Sequence, residues 1–386
     1  MEIRKAALRF VIVLGVANFF ADLTYEGARG IIGPFLGSLG ASATVVGFVA
    51  GFGELVGYGL RSASGYFADR TGKYWLVTLV GYSINMLAVP ALALAGAWPV
   101  AAGLIVAERT GRAIRKPATD AMLSEAGKSI GAGWGFGLNE ALDQAGAMVG
   151  PLIVALVLAL RKSYQSAFAL LLVSALLCLG MVVIARLVHS RGAKTDSRVT
   201  HLLEASGSSK AFWLYVAAGA LIAAGFADFS LIGFHFRKAH VVTEDFIPIY
   251  YAAAMGAGAL GSLVFGRLLD RLGQSIIIVL FLVTTLFAPL VFFGNFIVAL
   301  LGMLLWGLSM GAQDSLLKAL ITPIIPPGRR SSVFGLFDTV YGLAWFAGSA
   351  LMGLLYDMSI LGLVVFSITL QLAALPLFAI AAKAKN

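Results

Sequence analysis

Gly65 to Lys73, GYFADRTGK, is a short charged turn between two long apolar runs, and Gly266 to Gln274, GRLLDRLGQ, is a partial copy of it 201 residues later. Glycine near each end of the turn permits close helix approach and a tight reversal. Asp69 lies near a helix end, where a carboxylate accepts hydrogen bonds from a neighbouring helix N-terminus or pairs with a cation. Two further matches keep the same order, Phe20-Ala21-Asp22 against Phe226-Ala227-Asp228 and Phe136-Gly137-Leu138 against Phe334-Gly335-Leu336, at offsets of 206 and 198. The chain therefore reads as two parallel repeats.

Composition names the medium in which those repeats fold. Of 386 residues, 60% are hydrophobic and 12% charged, and the mean hydropathy is +0.92. A soluble core that apolar would leave too little polar surface to cover it, so the chain is read as a membrane protein. In a membrane, two parallel repeats imply a pseudo-two-fold axis along the membrane normal, with a site between them near the midplane. The net charge of +9 does not point to nucleic acid, because no basic run is interleaved with aromatics. A single cysteine, Cys178, excludes an internal disulfide and a Cys-based metal site. MEIRKAALRF followed by VIVLGVANFF has the charge pattern of a signal peptide, but Asp22 and Glu26 interrupt the apolar run, which is read instead as a first membrane helix starting in the cytoplasm.

Segments of roughly 20 apolar residues, enough to span, recur at about 6–35, 42–66, 73–96, 98–124, 130–159, 164–188, 211–236, 244–268, 274–294, 296–324, 331–356 and 359–382. The expected fold is an all-α membrane protein of twelve transmembrane helices in two pseudo-symmetric six-helix bundles, 1–188 and 211–386. Between them, 189–210 is rich in Ser, Gly and basic residues and reads as a cytoplasmic linker. Arg4, Lys5, Arg70, Lys73, Arg329, Arg330 and Lys383 fall on one side, against mainly Arg161, Lys162, Arg237 and Lys238 on the other. Both termini are then cytoplasmic, in a cell inner (plasma) membrane protein expected to be a monomer.

With the twelve spans, the linker and the repeated turn, the sequence resembles the major facilitator superfamily over essentially its whole length. Gly65 to Lys73 is similar to the family's loop motif, with Phe67 in place of leucine. The resemblance implies a gating role for Gly65, Asp69, Arg70, Gly72 and Lys73, and for Asp270 and Arg271 of the copy. Gly146, Gly150 and Pro151 resemble the core of a helix motif associated with antiporters, although Leu152 to Val157 lack its later glycines. Those glycines form a small-residue face for helix contact, and the proline bends the helix.

Charge inside a span costs at least about 2.5–3.5 kcal/mol, so each buried charge is paired, near an interface or facing a wet cavity. Asn18, Asp22, Glu26 and Arg29 form one stripe along the first helix. Asp22 and Glu26 are the leading candidates for proton coupling, since a carboxyl in a low-dielectric cavity can exchange a proton near neutral pH. An internal salt bridge to Arg29 or to a fourth-helix arginine is the alternative. On the fourth helix, ERTGRAIRKPATDAMLSE (Glu108 to Glu125) carries Arg109, Arg112, Arg115 and Lys116. Arg112 is expected at mid-membrane, and Arg115 and Lys116 lie deep enough to snorkel towards the cytoplasm. Asn139, Glu140 and Asp143 share the fifth helix. In the second repeat, Asp228 is the counterpart of Asp22 and Asp338 that of Glu140, with Gln313, Asp314 and Tyr341 nearby.

These residues divide into proton-coupling candidates (Asp22, Glu26, Glu140, Asp143, Asp228) and substrate-binding candidates (Arg29, Arg109, Arg112, Arg115, Asn139, Gln313, Asp314, Asp338, Tyr341). Ten carboxylates face seven fixed cations across the spans, a near balance that leaves the charge of the substrate open. Motifs for a serine nucleophile, a zinc protease or a phosphate-binding loop are absent from the sequence, so an enzyme is not expected and neither is a cofactor or metal site. The reading is a secondary transporter that exports a small organic molecule against protons in a lipid bilayer. Uptake of an organic anion, export of a divalent metal, or a non-transporting receptor on the same scaffold are the alternatives.

Overall fold

The computed structural model describes residues 2–130, 132–189, 210–272, 275–321 and 330–384. These are helical almost throughout. The helices are α1 (Glu2–Ser38), α2 (Ala43–Thr71), α3 (Tyr74–Ala91), α4 (Trp98–Ile130), α5 (Ala132–Arg161), α6 (Tyr164–His189), α7 (Lys210–Gly225), α8 (Phe229–Lys238), α9 (Ile247–Leu272), α10 (Ser275–Thr284), α11 (Phe287–Phe293), α12 (Phe296–Ile321), α13 (Arg330–Met358) and α14 (Ile360–Ala384). Among the described residues, eight stretches are long and apolar enough to cross a membrane, and three shorter apolar ones lie at 247–261, 278–293 and 296–311. α4 has the length of a span, yet Glu108, Arg109, Arg112 and Arg115 within its first 18 residues keep it out of that class.

By their internal contacts, the helices group into two units, Met1–Ile31 with Val56–Val199 and Ile32–Leu55 with Thr200–Asn386. The far ends of α1 and α2 thus cluster with the later helices, a grouping the sequence does not suggest. The reason is local. A Cβ added to Gly33 would fall 1.8 Å from the Ser230 carbonyl oxygen, and one on Gly47 2.4 Å from that of Ser349. Asp357, at the end of α13, also caps α2, accepting from the amides of Ala43 (3.3 Å) and Thr44 (2.8 Å) and from the Thr44 hydroxyl (2.7 Å). An acid is disfavoured at its own helix C-terminus and favoured at another's N-terminus. The linker at 190–209 lies outside the described residues.

Inside the first unit, α5 lies backbone to backbone on α1. A Cβ on Gly146 would sit 2.3 Å from the Phe19 carbonyl oxygen, and one on Gly150 2.4 Å from that of Leu23. The glycines of the antiporter-like motif therefore act by contact, as their spacing predicts. Gly150→Ala is expected to destabilise the protein by about 1–3 kcal/mol, read as a lower melting temperature in detergent.

The second unit repeats this contact. Gly348 abuts Ala224, with a Cβ-to-carbonyl distance of 2.0 Å, and these residues lie 198 and 201 positions after Gly150 and Leu23. Another pair keeps the same two offsets: Asn18 donates to Asn139 across 2.8 Å, whereas Gly219 meets the ring of Phe337. The Phe-Ala-Asp match, at 206, is out of step with this register. By packing, Ala223 rather than Asp228 corresponds to Asp22.

The seventh span is broken at Phe226-Ala227-Asp228 into α7 and α8. Backbone freed at such depth must find other partners. Here Ser367 Oγ (2.6 Å) and Gln371 Nε2 (3.2 Å) donate to the Gly225 carbonyl, and Trp306 Nε1 (2.8 Å) donates to that of Ala227. The buried Asp228 carboxylate is the N-cap of α8, accepting from Ser230 N at 2.8 Å. Asp228→Ala is expected to cost about 0.5–2 kcal/mol of stability, measurable by thermal unfolding.

Candidate functional site

The polar interior of the first unit is assembled from α1, α3, α4 and α5. Two small residues bring α3 and α4 together: a Cβ on Gly111 would meet Asn85 N at 2.4 Å, and one on Gly81 would meet Arg115 N at 2.6 Å. That approach places Tyr82 and Asn85 against the charged face of α4. Arg115 Nε donates to Asn85 Oδ1 (3.0 Å) and Arg115 Nη1 to Asn18 Oδ1 (3.3 Å), with the guanidinium 4.3 Å from the centre of the Tyr82 ring. Tyr82 also donates to Asn18 Oδ1, and Asn85 Nδ2 donates to Glu108 Oε1 at 2.9 Å. At the other end, Asn139 Nδ2 donates to Asp143 Oδ2 at 3.2 Å. A continuous relay therefore runs from Asp143 through Asn139, Asn18, Arg115 and Asn85 to Glu108.

This corrects the expectation for Arg115. It does not snorkel; it is 3% exposed and bonded to neutral amide oxygens, which makes it the hub of a packed network. Lys116 does reach outward, to Asp120 at 3.3 Å on a partly exposed face. Tyr82 and Asn85 are the residues that the sequence does not single out. Their signal is the Gly81-Tyr82-x-x-Asn85 spacing, which puts two polar groups beside a small residue on one face of an otherwise apolar helix.

The remaining charges of the site separate into engaged and open. Arg29 faces Glu26 at 3.9 Å and Arg109 faces Glu108 at 3.5 Å, all four buried. Arg112 differs. Its guanidinium lies over the Tyr25 ring at 4.4 Å, and no described residue forms an ion pair or hydrogen bond with it. The residue is half-buried, and none of its nitrogens is among the buried polar atoms that lack a partner, so its N–H edges reach open space. Asp22 likewise forms no ion pair with a described residue. Its electrostatic neighbours are Arg112, Tyr25, Glu26 and Arg115, of which Tyr25 is also a hydrogen-bond partner. Within the α1 stripe, Glu26 faces Arg29 and also lies in the field of Arg112, while Asp22 lies beside Arg112 without an ion pair to a described residue.

In the second unit, Tyr341 donates to Gln313 Oε1 at 2.6 Å, which joins two of the substrate-binding candidates. Asp338 is half-buried on α13. His235 is hydrogen-bonded to the Tyr356 hydroxyl at 3.0 Å among aromatic rings. Of the gating turn, Gly72 has the left-handed φ of 65° that a side chain would resist, and Arg70 and Lys73 are exposed. The side chains of Asp69, Glu140, Asp270, Arg271 and Asp314 lie outside the described residues.

Helices long and apolar enough to cross a membrane, packed around a charged, hydrogen-bonded interior, fit the membrane-transporter class. Residues 14–349 match the model of the Major Facilitator Superfamily. The chain belongs to that superfamily. It is 41% identical over 376 residues to "Uncharacterized protein Rv2265" of Mycobacterium tuberculosis (strain ATCC 25618 / H37Rv), covering 96% of this chain and 92% of that one. It is 26% identical over 363 residues to "Uncharacterized MFS-type transporter MJ1317" of Methanocaldococcus jannaschii, covering 90% and 89%. Among solved structures, the nucleoside transporter NupG shares the fold at a TM-score of 0.70 and 14% identity, covering 97% of this chain and 98% of that one.

Proposed function

We propose that the chain is a proton-coupled secondary transporter of a small organic molecule, working by alternating access between two six-helix bundles, 1–188 and 211–386. Asp22 is the carboxylate that takes and gives the proton. The observation that carries this reading is a buried Asp22 beside Arg112 with no ion pair between them, in an interior where Glu26 faces Arg29 and Glu108 faces Arg109. A buried charge with no fixed counter-ion is a liability unless a proton or solute completes it. Glu26 and Asp143 are secondary candidates, because Glu26 faces Arg29 and Asp143 accepts from Asn139. Both termini are assigned to the cytoplasm of a plasma-membrane protein from the distribution of basic residues.

Export by proton exchange is the expectation from the α5 motif. Its glycines are accounted for by the α1 contact, so they lend exchange no separate support. The test is purified protein in liposomes that enclose a pH-sensitive dye, challenged with organic anions, cations and neutral solutes. Solute-dependent proton movement is expected for at least one class; none for any class, with the protein folded, would overturn the reading.

A further inference from the structure

We infer that Arg112 seats a carboxylate of the solute and that this anion loads together with one proton, which goes to Asp22. The inference rests on the reading of Asp22 as the coupling carboxylate and adds the class of solute and the sign of coupling.

Four arginines bear on the choice, Arg29 of α1 and Arg109, Arg112 and Arg115 of α4; Arg61 of α2 also lies over a ring, that of Tyr58, but its Nε is buried without a partner among the described residues. Arg29 and Arg109 each face a carboxylate, and Arg115 spends its N–H groups on Asn85 and Asn18. Arg112 is the one whose guanidinium plane is supported by a ring, Tyr25, while its N–H edges stay open. A guanidinium held flat in this way offers a planar fork, the geometry that matches the two oxygens of a carboxylate. A neutral solute would leave that fork unpaired, and a cation would be repelled by it.

The consequence for Asp22 follows from charge. The groups that act on it are Tyr25 and Glu26 of α1 and Arg112 and Arg115 of α4. Tyr82 of α3 and Cys178 of α6 also lie within its field, and Asp143 of α5 within that of Tyr82. Arg115 is held by amides and cannot move towards Asp22 without breaking the relay. When an external carboxylate takes Arg112, the ionised Asp22 loses its adjustable counter-charge and still faces Glu26. A buried carboxylate so placed binds a proton. The empty site holds ionised Asp22 with Arg112, and the loaded site holds protonated Asp22 with an Arg112–carboxylate pair. One anion and one proton have entered, and the net charge is unchanged. Loading is therefore electroneutral for a monoanion, and coupling is co-transport rather than exchange.

The test uses purified full-length protein and two matched sets of probes: benzoate, benzamide and benzylamine, and hexanoate, hexanamide and hexylamine. Melting temperature reports binding, and a pH indicator in weak buffer reports protons taken up or released. The carboxylates are expected to stabilise the protein where their amides and amines do not, with uptake of about one proton per anion bound. Apparent affinity should weaken by up to about tenfold per pH unit once Asp22 must bind its proton from solution. Arg112→Gln should abolish the stabilisation while keeping the melting temperature of the empty protein, and Arg112→Lys, with charge but no fork, should retain only weak binding. Asp22→Asn should still bind the anion, now without proton uptake or pH dependence. Stabilisation by the amines with proton release, carboxylate binding that survives Arg112→Gln, or no stabilisation by any probe would overturn the inference. Proton release that Asp22→Asn removes would leave the proposed function standing; proton movement unaltered by Asp22→Asn would remove both.

Discussion

With Asp22 replaced by Asn, reconstituted protein is expected to lose proton-driven solute flux down to the level of protein-free vesicles while remaining folded. The two side chains have nearly the same shape, and the native carboxylate forms no ion pair with any described group. Its removal therefore costs little packing and leaves the relay between Asp143 and Glu108 intact. What disappears is the site for the proton. Exchange of labelled for unlabelled solute, which needs no proton, should persist in the same vesicles. Glu108→Gln provides the contrast, because Glu108 holds both Asn85 and Arg109 and its loss should appear first as instability. Full proton-driven flux in Asp22→Asn would remove Asp22 from the coupling role.

Arg115→Leu is expected to destabilise the protein by about 2–4 kcal/mol, the second large effect. Asn85 Oδ1 would lose the Arg115 Nε donor, Asn18 Oδ1 would keep Tyr82 alone, and the stack on the Tyr82 ring would vanish. Arg112→Leu, three residues away on the same helix, removes a guanidinium that packs on the Tyr25 ring and balances Asp22 without a hydrogen bond to a described residue, and should cost less. Melting temperatures of the two variants in one detergent decide the matter. Equal losses would mean that the two arginines are not divided between structure and function.

Much of this was legible in the sequence, and the exceptions have physical causes. The spans follow from the length of apolar runs, and the family from a charged turn with its copy. The charged faces of α1 and α4 follow from helical spacing. Spacing tells which residues share a face, but not which groups another helix brings to that face. That is why Arg115 reads as a snorkelling cation until Asn18 and Asn85 are set against it. The break at Phe226-Ala227-Asp228 is hidden for a similar reason. The run is apolar enough to pass for a continuous span, and the groups that satisfy its carbonyls, Trp306, Ser367 and Gln371, lie 79 to 146 residues away. Likewise, a three-letter match cannot reveal that Asp228 is out of register with Asp22; the glycine contacts of α5 and α13 do.

Those contacts also bear on how such a chain can change. The first repeat sets Asn18 against Asn139 where the second sets Gly219 against Phe337, on one packing frame. Geometry has been inherited twice and wiring kept once. Substitutions that alter the chemistry of the first repeat must respect a network spanning four helices, in which a single side chain cannot drift alone. The second repeat, with an aromatic ring filling the equivalent position, is under no such restraint there. Divergence among related chains should accordingly be uneven, slow around Asn18 and Asn139 and faster around Gly219 and Phe337.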